Sequence, residues 1–192
     1  TFKGKTSLDV LLLWASTWLK NYTSMQCYHN SNIINVEAYD AKSEEEKQAE
    51  LNKQLHKNVT VYRVPLSIIT KENRIQSFLN IYFNLSDGYR KFWKKNLLTT
   101  LPSIFERHAI DKIIVTCPPF SGAVFGYLIS KKYKIDLYLD MRDAWSQLSM
   151  NPIGSRIHYF FKRNLERKVL SHAKKITTVT PQLKSAFIKN HP

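Results

Sequence analysis

Cysteine is scarce in this chain of 192 residues, which contains only Cys27 and Cys117. Two cysteines cannot form a disulfide framework, and the sequence has no CxxC pair or Cys/His spacing of the kind found at zinc sites. We therefore expect the reducing compartment of the cytoplasm. No metal ion or other cofactor is expected, because the His residues also show no ligand spacing.

Long apolar runs are missing as well. The run at Leu11–Leu13 is far shorter than the roughly 20 residues of a membrane-spanning helix, and the N-terminus does not have the layout of a signal peptide. The sequence also contains no HExxH, GxSxG, GxGxxG or Walker-type motif. Hydrolase, kinase and dinucleotide-binding functions therefore have no support from motifs.

Acidic residues are few: 15 Asp and Glu oppose 29 Lys and Arg, which gives the chain a net charge of +14. This excess suits an anionic partner, such as a phosphate group, a nucleic acid or an acidic membrane surface. With 43% hydrophobic and 12% aromatic residues, the chain has enough apolar material to form a core. We expect one domain that spans residues 1–192.

The second half of the chain alternates between strand and helix patterns. They predict strands at Lys112–Thr116, Ile135–Met141 and Ile176–Val179, and helices at Ser121–Tyr133, Ile153–Ala173 and Pro181–Lys189. Thr180 is expected to cap the last of these helices, with Pro181 at its first position, where a missing N–H costs nothing. Strands that alternate with helices form a parallel sheet covered by helices. The fold class that we expect is therefore α/β: a Rossmann-like, three-layer domain with a mostly parallel sheet.

The first half of the chain is less regular. Apolar spacing predicts a helix at Ser7–Asn21 and strands at Ile33–Ala38 and Val59–Val64. A polar helix is predicted at Lys42–Lys57, and two helices between Ile68 and His108 with a break near Ser86–Gly88. Pro102 is expected to bend or break the second of these two helices, because proline removes a helical hydrogen bond.

In an open parallel sheet, ligands bind beyond the carboxyl ends of the strands, and three polar segments follow predicted strands here. The first segment is Thr116–Gly122. Its two prolines end the strand, Ser121 is suited to cap the next helix, and Gly122 permits the close approach of another backbone or of a ligand. We expect Phe120, Ser121 and Gly122 to bind substrate at the helix start, which attracts an oxyanion or a sugar hydroxyl. An ordinary capped loop is the alternative.

The second segment, Asp140–Trp145, places three charges within four residues after an apolar strand. Asp140 and Asp143 are suited to accept hydrogen bonds from sugar hydroxyls, and Arg142 to bind a phosphate or one of the two carboxylates. The alternative is an internal Asp–Arg ion pair that pins the loop. We expect Arg142 and Asp143 to have a functional role, and Asp140, with Thr180 after the last strand, to contribute to substrate binding.

The helix predicted at Ile153–Ala173 is strongly basic. Nine Lys and Arg residues follow Asn151, and Glu166 is the only acidic residue among them. The interleaved apolar residues, from Ile157 to Leu170, are expected to face the sheet, with Tyr159 or Phe160 nearer its rim, while the charged residues face anionic headgroups or phosphates. The alternative is a solvated face without a partner.

The run IDKIIVTCPPFSGAVFGYLISKKYKIDLYLDMRDAW, from Ile110 to Trp145, resembles the N-terminal domain of bacterial GT-B glycosyltransferases of the retaining family four. Those domains carry a T-x-P-P-x-S turn and a strand that ends in D-x-R-D-x-W. The segment ERKVLSHAKKITTVTPQLKSAF, Glu166–Phe187, is similar to a later segment of the family's sequence. That segment contains an Ala–Asp pair in the family, and the corresponding residues here are Ala173–Lys174. The resemblance covers Ile110–Ile188.

The resemblance implies transfer of a sugar from a nucleotide-sugar donor to a saccharide or lipid-linked acceptor in cell-envelope polysaccharide synthesis, without a metal ion. It implies that this chain is the acceptor-side N-terminal domain, a fragment that lacks the C-terminal donor-binding domain and the family's first strand. Arg142 and Asp143 correspond to polar residues beside the reacting sugar, which implies a catalytic role for both, and Ser121 and Gly122 correspond to a loop that faces the cleft. The implied location is cytoplasmic, and peripheral on the inner face of the cell membrane.

Two other functions remain open. A non-enzymatic basic α/β module that binds an anionic membrane or a nucleic acid fits the charge, but the absence of any DNA- or RNA-reading motif makes nucleic acid the less expected partner. A sugar-nucleotide epimerase of similar architecture is the other, although that group does not share the pairing of PPFS with DMRD. All site assignments require Ser121, Asp143 and Thr180 to lie along one edge of one sheet.

Overall fold

A sheet of six strands dominates the computed structural model, which describes residues 8–15, 31–39, 57–65, 89–146 and 155–191. The strands are β1 Leu8–Ala15, β2 Ser31–Tyr39, β3 Val59–Pro65, β4 Lys112–Cys117, β5 Asp136–Met141 and β6 Lys175–Thr178. The helices are α1 Tyr89–Arg107, α2 Phe120–Tyr133, α3 Arg156–His172 and α4 Pro181–Asn190. None of these four helices has the length and apolar character that crossing a bilayer requires.

The strands lie in the order β3-β2-β1-β4-β5-β6, and every neighbouring pair is parallel. This is the strand order of doubly wound nucleotide-binding folds, in which the direction of winding reverses between the first and fourth strands. The predicted fold class, an α/β Rossmann-like three-layer domain, is confirmed. Since Cys117 pairs with Met141 and Met141 with Thr178, the ends of β4, β5 and β6 are level at one edge.

Strand β1 corrects two predictions. Residues 8–15 were predicted to lie in the helix Ser7–Asn21, and the first strand of the fold was predicted to be missing; instead, β1 lies at the centre of the sheet between β2 and β4. A central parallel strand is buried on both faces and is therefore apolar throughout, so its spacing also matches one side of a helix. Residues 16–21 of that predicted helix lie outside the described residues.

Alternate side chains of β1 enter two apolar cores, one on each face of the sheet. Leu11 and Leu13 belong to the larger core, under helices α1 and α2, whereas Val10 and Leu12 meet Ile33 on the opposite face. Within the larger core, aromatic rings of α1 and α2 are in edge-to-face contact. The two helices therefore form one continuous layer over the strands that precede the candidate site.

Helix α1 agrees with the predicted segment that ends at His108, but Pro102 does not break it. The buried side chains of Leu101 and Ile104 anchor the helix on both sides of the proline. Because Pro102 has no N–H, it cannot donate to the carbonyl of Leu98. Leu98 lies on the exposed side of the helix, where water can donate a hydrogen bond instead.

The remaining boundaries of the second half agree with prediction to within about three residues, the usual disagreement at helix ends. Strands β2 and β3 also form where predicted, and β3 ends on Pro65. The predicted helix Lys42–Lys57, apart from the turn residue Lys57, and the helical pattern from Ile68 to Gly88 lie outside the described residues.

Candidate functional site

The turn between β4 and α2 lies at the carboxyl edge of the sheet. Both peptide bonds that precede Pro118 and Pro119 are cis. The helix begins at Phe120 with Pro119 in the capping position, and no side chain caps its first turn. The prediction that Ser121 caps the helix is therefore wrong: Ser121 lies inside the first turn, with only 1% of its surface exposed.

Gly122 brings helix and sheet together. A Cβ atom at this position would lie 3.2 Å from Cγ1 of Val115 in β4, so the space beside Gly122 is occupied by the sheet. Its backbone N–H donates to the carbonyl of Pro119 over 3.1 Å. Gly122 therefore supports the site through packing, while the positive end of the α2 dipole points to the carboxyl edge of the sheet.

Two contacts join the β4–α2 turn to the loop after β5. The ring of Phe120 stacks on that of Trp145 with 5.3 Å between centroids and 4° between planes, and both rings are buried. The backbone N–H of Arg142 donates to the carbonyl of Cys117 over 2.9 Å. Phe120, predicted to bind substrate, thus packs under the loop that carries the charged residues.

Asp140 braces this loop. Its Oδ2 lies 3.2 Å from Nε of Arg142, and its Oδ1 accepts a hydrogen bond of 3.2 Å from the hydroxyl of Thr177 in β6. Asp140, near the end of β5, thus connects Arg142 at the start of the loop with Thr177 in the neighbouring strand β6. This is the ion-pair alternative that the sequence left open, and it holds the guanidinium of Arg142 in place.

Thr180 acts as the cap of α4, since its hydroxyl oxygen accepts the backbone N–H of Leu183 over 3.2 Å. The cap was predicted from the Thr-Pro pair and is confirmed. This contact uses one acceptor site of an exposed hydroxyl, whose O–H can still donate, so substrate binding by Thr180 stays a prediction.

Arg142 and Asp143 remain the accessible charged side chains at the ends of β4 and β5. The side chain of Arg142 is one-third exposed, and Asp143 is exposed. A guanidinium donates to phosphate or carboxylate oxygens, and a carboxylate accepts from sugar hydroxyls. In the described part of the chain, no three His, Cys, Asp or Glu side chains converge into a metal site.

The reversal of strand order places the expected ligand crevice between β1 and β4, and sequence reasoning missed the contribution of β1. The register aligns Leu13 with Val115, so β1 ends beside the β4–α2 turn. The apolar run VLLLW was the available signal, because buried central strands are continuous in apolar character.

Helix α3 presents a different surface from the one predicted. Four apolar residues near its N-terminus are 43% to 65% exposed: Ile157, Tyr159, Phe160 and Phe161. This set was predicted to face the sheet, with Tyr159 or Phe160 nearer its rim. Val169 and Leu170 do pack on the core, and they fix the rotation of the helix. The residues that precede Leu170 at intervals of four are polar: Glu166, Lys162 and His158. The rotation therefore buries charge and exposes rings.

The buried polar row consists of His158, Lys162 and Glu166. Burial lowers the pKa of the Lys162 amine, and the nearby Glu166 carboxylate opposes that shift. His191, just after α4, places its Nε2 3.2 Å from Oε2 of Glu166. An Nη of Arg163 donates to the carbonyl of Asn190 over 2.8 Å, so α3 and the end of α4 are joined by polar contacts.

No protein-family model matches the chain, and no curated protein sequence matches it. A solved structure that is similar to this chain is that of a protein of unknown function from Vibrio parahaemolyticus. The two share 10% sequence identity with a TM-score of 0.43, over 93% of this chain and 97% of that one.

Proposed function

We propose that this chain is the acceptor-binding N-terminal domain of a GT-B glycosyltransferase, which transfers a sugar from a nucleotide-sugar donor to a saccharide or lipid-linked acceptor of the cell envelope. The observation that carries the proposal is the adjacency of the two segments on which the family resemblance rests. The TCPPFS turn and the DMRDAW loop follow neighbouring parallel strands, and the Arg142–Cys117 hydrogen bond and the Phe120–Trp145 stack join them.

In this proposal Arg142 stabilises negative charge at the reacting sugar or its leaving group, and Asp143 orients the acceptor hydroxyl. Asp140 holds the guanidinium before any ligand arrives. Charged groups that are oriented in advance are effective in catalysis, since they need no reorganisation as charge develops. The positive end of α2, on the same edge, adds a partial charge of the same sign as Arg142.

The test uses the full-length protein of which we propose this chain to be a part, assayed with radiolabelled UDP- and GDP-sugars for sugar release and transfer. Arg142→Gln is expected to lower turnover by about 10²-fold, the usual loss when one oriented charge-stabilising group is removed. Arg107→Gln, which removes the same charge from the exposed end of α1, serves as the control. Equal turnover in the two variants would contradict the assignment of Arg142.

The second candidate function is attachment to an anionic membrane through α3, and the exposed rings of this helix favour it. Four apolar side chains at its N-terminal half are accessible, and exposed basic residues lie on the same helix: Arg156, Arg167 and Lys168. Exposed rings beside basic side chains are the composition of helices that lie in the headgroup region of a bilayer.

Flotation with phosphatidylglycerol vesicles tests this attachment. The double variant Phe160→Ser, Phe161→Ser is expected to lose most of the binding, because both rings would be buried among the headgroups. The matched control is Leu98→Ser, Leu128→Ser, which removes two exposed apolar side chains from α1 and α2. Undiminished binding in the Phe variant, or equal binding to phosphatidylcholine vesicles, would reject the membrane function.

A further inference from the structure

A groove of about 690 Å³ lies between α3, β6 and α4, beside the edge of the sheet. Its apolar lining comes from all three elements: Leu170, Ile176, Phe187 and Ile188. Leu170 and Phe187 form a buried floor, while Ile176 and Ile188 are partly exposed at the opening. Its volume lies within the usual range of small-ligand sites, about 300 to 1,000 Å³.

The groove is cationic at its walls. Arg167 lines it from α3 and Lys184 from α4, and among its lining residues in the described part of the chain there is no acidic one. Glu166, the nearest acidic residue of α3, is fully buried and lies against His191. An apolar floor between two cations therefore complements a ligand with an apolar chain and a negative head.

We propose that this groove binds a single-chain anionic amphiphile, with its alkyl chain along Leu170, Ile176 and Phe187 and its phosphate or carboxylate head between Arg167 and Lys184. The proposal does not rest on the glycosyltransferase function, because neither Arg142 nor Asp143 lines the groove; the two regions meet only at Thr177, which lines the groove and donates to Asp140. It is also distinct from the exposed rings at the N-terminal half of α3, since the groove is lined by the C-terminal half of that helix.

Calorimetric titration of the purified protein with dodecyl phosphate, below its critical micelle concentration, tests the proposal. One molecule is expected to bind per chain. Affinity should rise by up to about fourfold per methylene from octyl to dodecyl phosphate, the factor that corresponds to burial of one methylene group. Dodecyl maltoside and dodecyltrimethylammonium, which carry neutral and cationic heads on the same chain, should bind at least about tenfold more weakly.

Matched variants separate the groove from the general positive charge of the chain. Arg167→Gln and Lys184→Gln are each expected to weaken dodecyl phosphate binding by about tenfold, because each removes a charged partner of the head. Lys168→Gln and Lys189→Gln, which remove the same charge from exposed neighbouring positions outside the groove, should leave the affinity unchanged. Ile188→Asn, at an exposed site, should weaken binding and reduce its dependence on chain length.

Three results would overturn the proposal. Equal losses in the groove variants and in Lys168→Gln or Lys189→Gln would show that the net charge alone attracts the head. Affinity that does not change with chain length would exclude burial of the chain. Loss of binding in Phe160→Ser, Phe161→Ser would place the amphiphile on the exposed rings of α3 instead of in the groove.

Discussion

Helices α2 and α3 both connect neighbouring parallel strands, yet they meet the rest of the molecule in opposite ways. Helix α2 buries nine of its residues, among them Phe120 and Phe125, and lies so close to β4 that a Cβ atom at Gly126 would displace the side chain of Val115. Helix α3 buries five, three of them polar, and exposes rings such as Phe160. The difference follows from position, because α2 covers the centre of the sheet and α3 lies near its edge strand.

The comparison shows that the rigid packing of the molecule lies at α2, while its accessible apolar and basic side chains lie on α3. The apolar packing of α2 fixes the turn that starts it and, through Trp145, the loop that carries Arg142 and Asp143. Helix α3, in contrast, presents rings and cations to its surroundings and shares a groove with α4. We therefore expect substitutions along α2 to change the stability of the fold, and substitutions along α3 to change binding.

The largest difference in the free energy of unfolding is expected between Trp145→Ala and Phe160→Ala. The fully buried ring of Trp145 leaves a cavity when it is removed, and the free energy of unfolding should fall by about 3–5 kcal/mol. The ring of Phe160 is 60% exposed, so its removal should change that free energy by less than about 0.5 kcal/mol. Urea unfolding measures both, and similar losses in the two variants would remove the distinction between the rigid packing of α2 against the loop after β5 and the exposed surface of α3.

A smaller effect is expected at the contact between α2 and β4. In Gly126→Ala the new Cβ would lie 2.6 Å from Cγ2 of Val115. The resulting shift should outweigh the gain in helix propensity of about 1 kcal/mol and leave a net loss of roughly 1–2 kcal/mol. In Gly122→Ala the nearest atom would be 3.2 Å away, so the two effects should nearly cancel. A more stable Gly126→Ala variant in urea unfolding would disprove the close approach.

The smallest effect concerns the buried charge of α3 and appears as a dependence on pH. Because burial lowers the pKa of Lys162 below its ordinary value of 10.5, the unfolded chain binds more protons between the two values. Stability due to this group therefore rises with pH across that window. Lys162→Met removes the titration, so wild type should gain stability relative to the variant as pH rises. A difference that is independent of pH would show that Lys162 is not desolvated.

The stability that Lys174 contributes should change with pH in the opposite direction. Its hydrogen bond and attraction to Asp136 raise the pKa of its amine above the ordinary value. The stability that it contributes is present below that ordinary value and is lost as pH rises through the raised one. The pair is exposed, so the contribution is small. Lys174→Gln should therefore reduce the free energy of unfolding slightly near neutral pH and not at all in strongly alkaline urea titrations.

Local signals were sufficient for much of the fold and for part of the site. Strands β4 and β5 and the cap at Thr180 follow from runs of apolar residues, prolines and a Thr-Pro pair, each of which acts within a few residues. Strand β1 did not follow, because its burial on both faces depends on the neighbouring strands β2 and β4. Its apolar run is equally compatible with a buried helix.

Side-chain roles at the site depended on tertiary contacts that spacing cannot reveal. Asp140 is engaged by Thr177, which is distant in sequence, and Phe120 is engaged by Trp145. The orientation of α3 is set by Val169 and Leu170, so the exposure of its rings depends on two residues in its last turns. Arg142, Asp143 and Thr180 keep the accessibility that their assigned roles require, whereas Phe120, Ser121 and Gly122 are buried.

The central claim is that the carboxyl end of β5 carries the chemistry, and the two ends of this one strand test it directly. Asp143 follows the strand, while Asp136 begins it at the opposite edge of the sheet, where it pairs with Lys174. In the full-length protein, turnover of Asp143→Asn is predicted to be about 10²-fold lower than that of Asp136→Asn, with the fold intact in both. Equal turnover in the two variants would contradict the account.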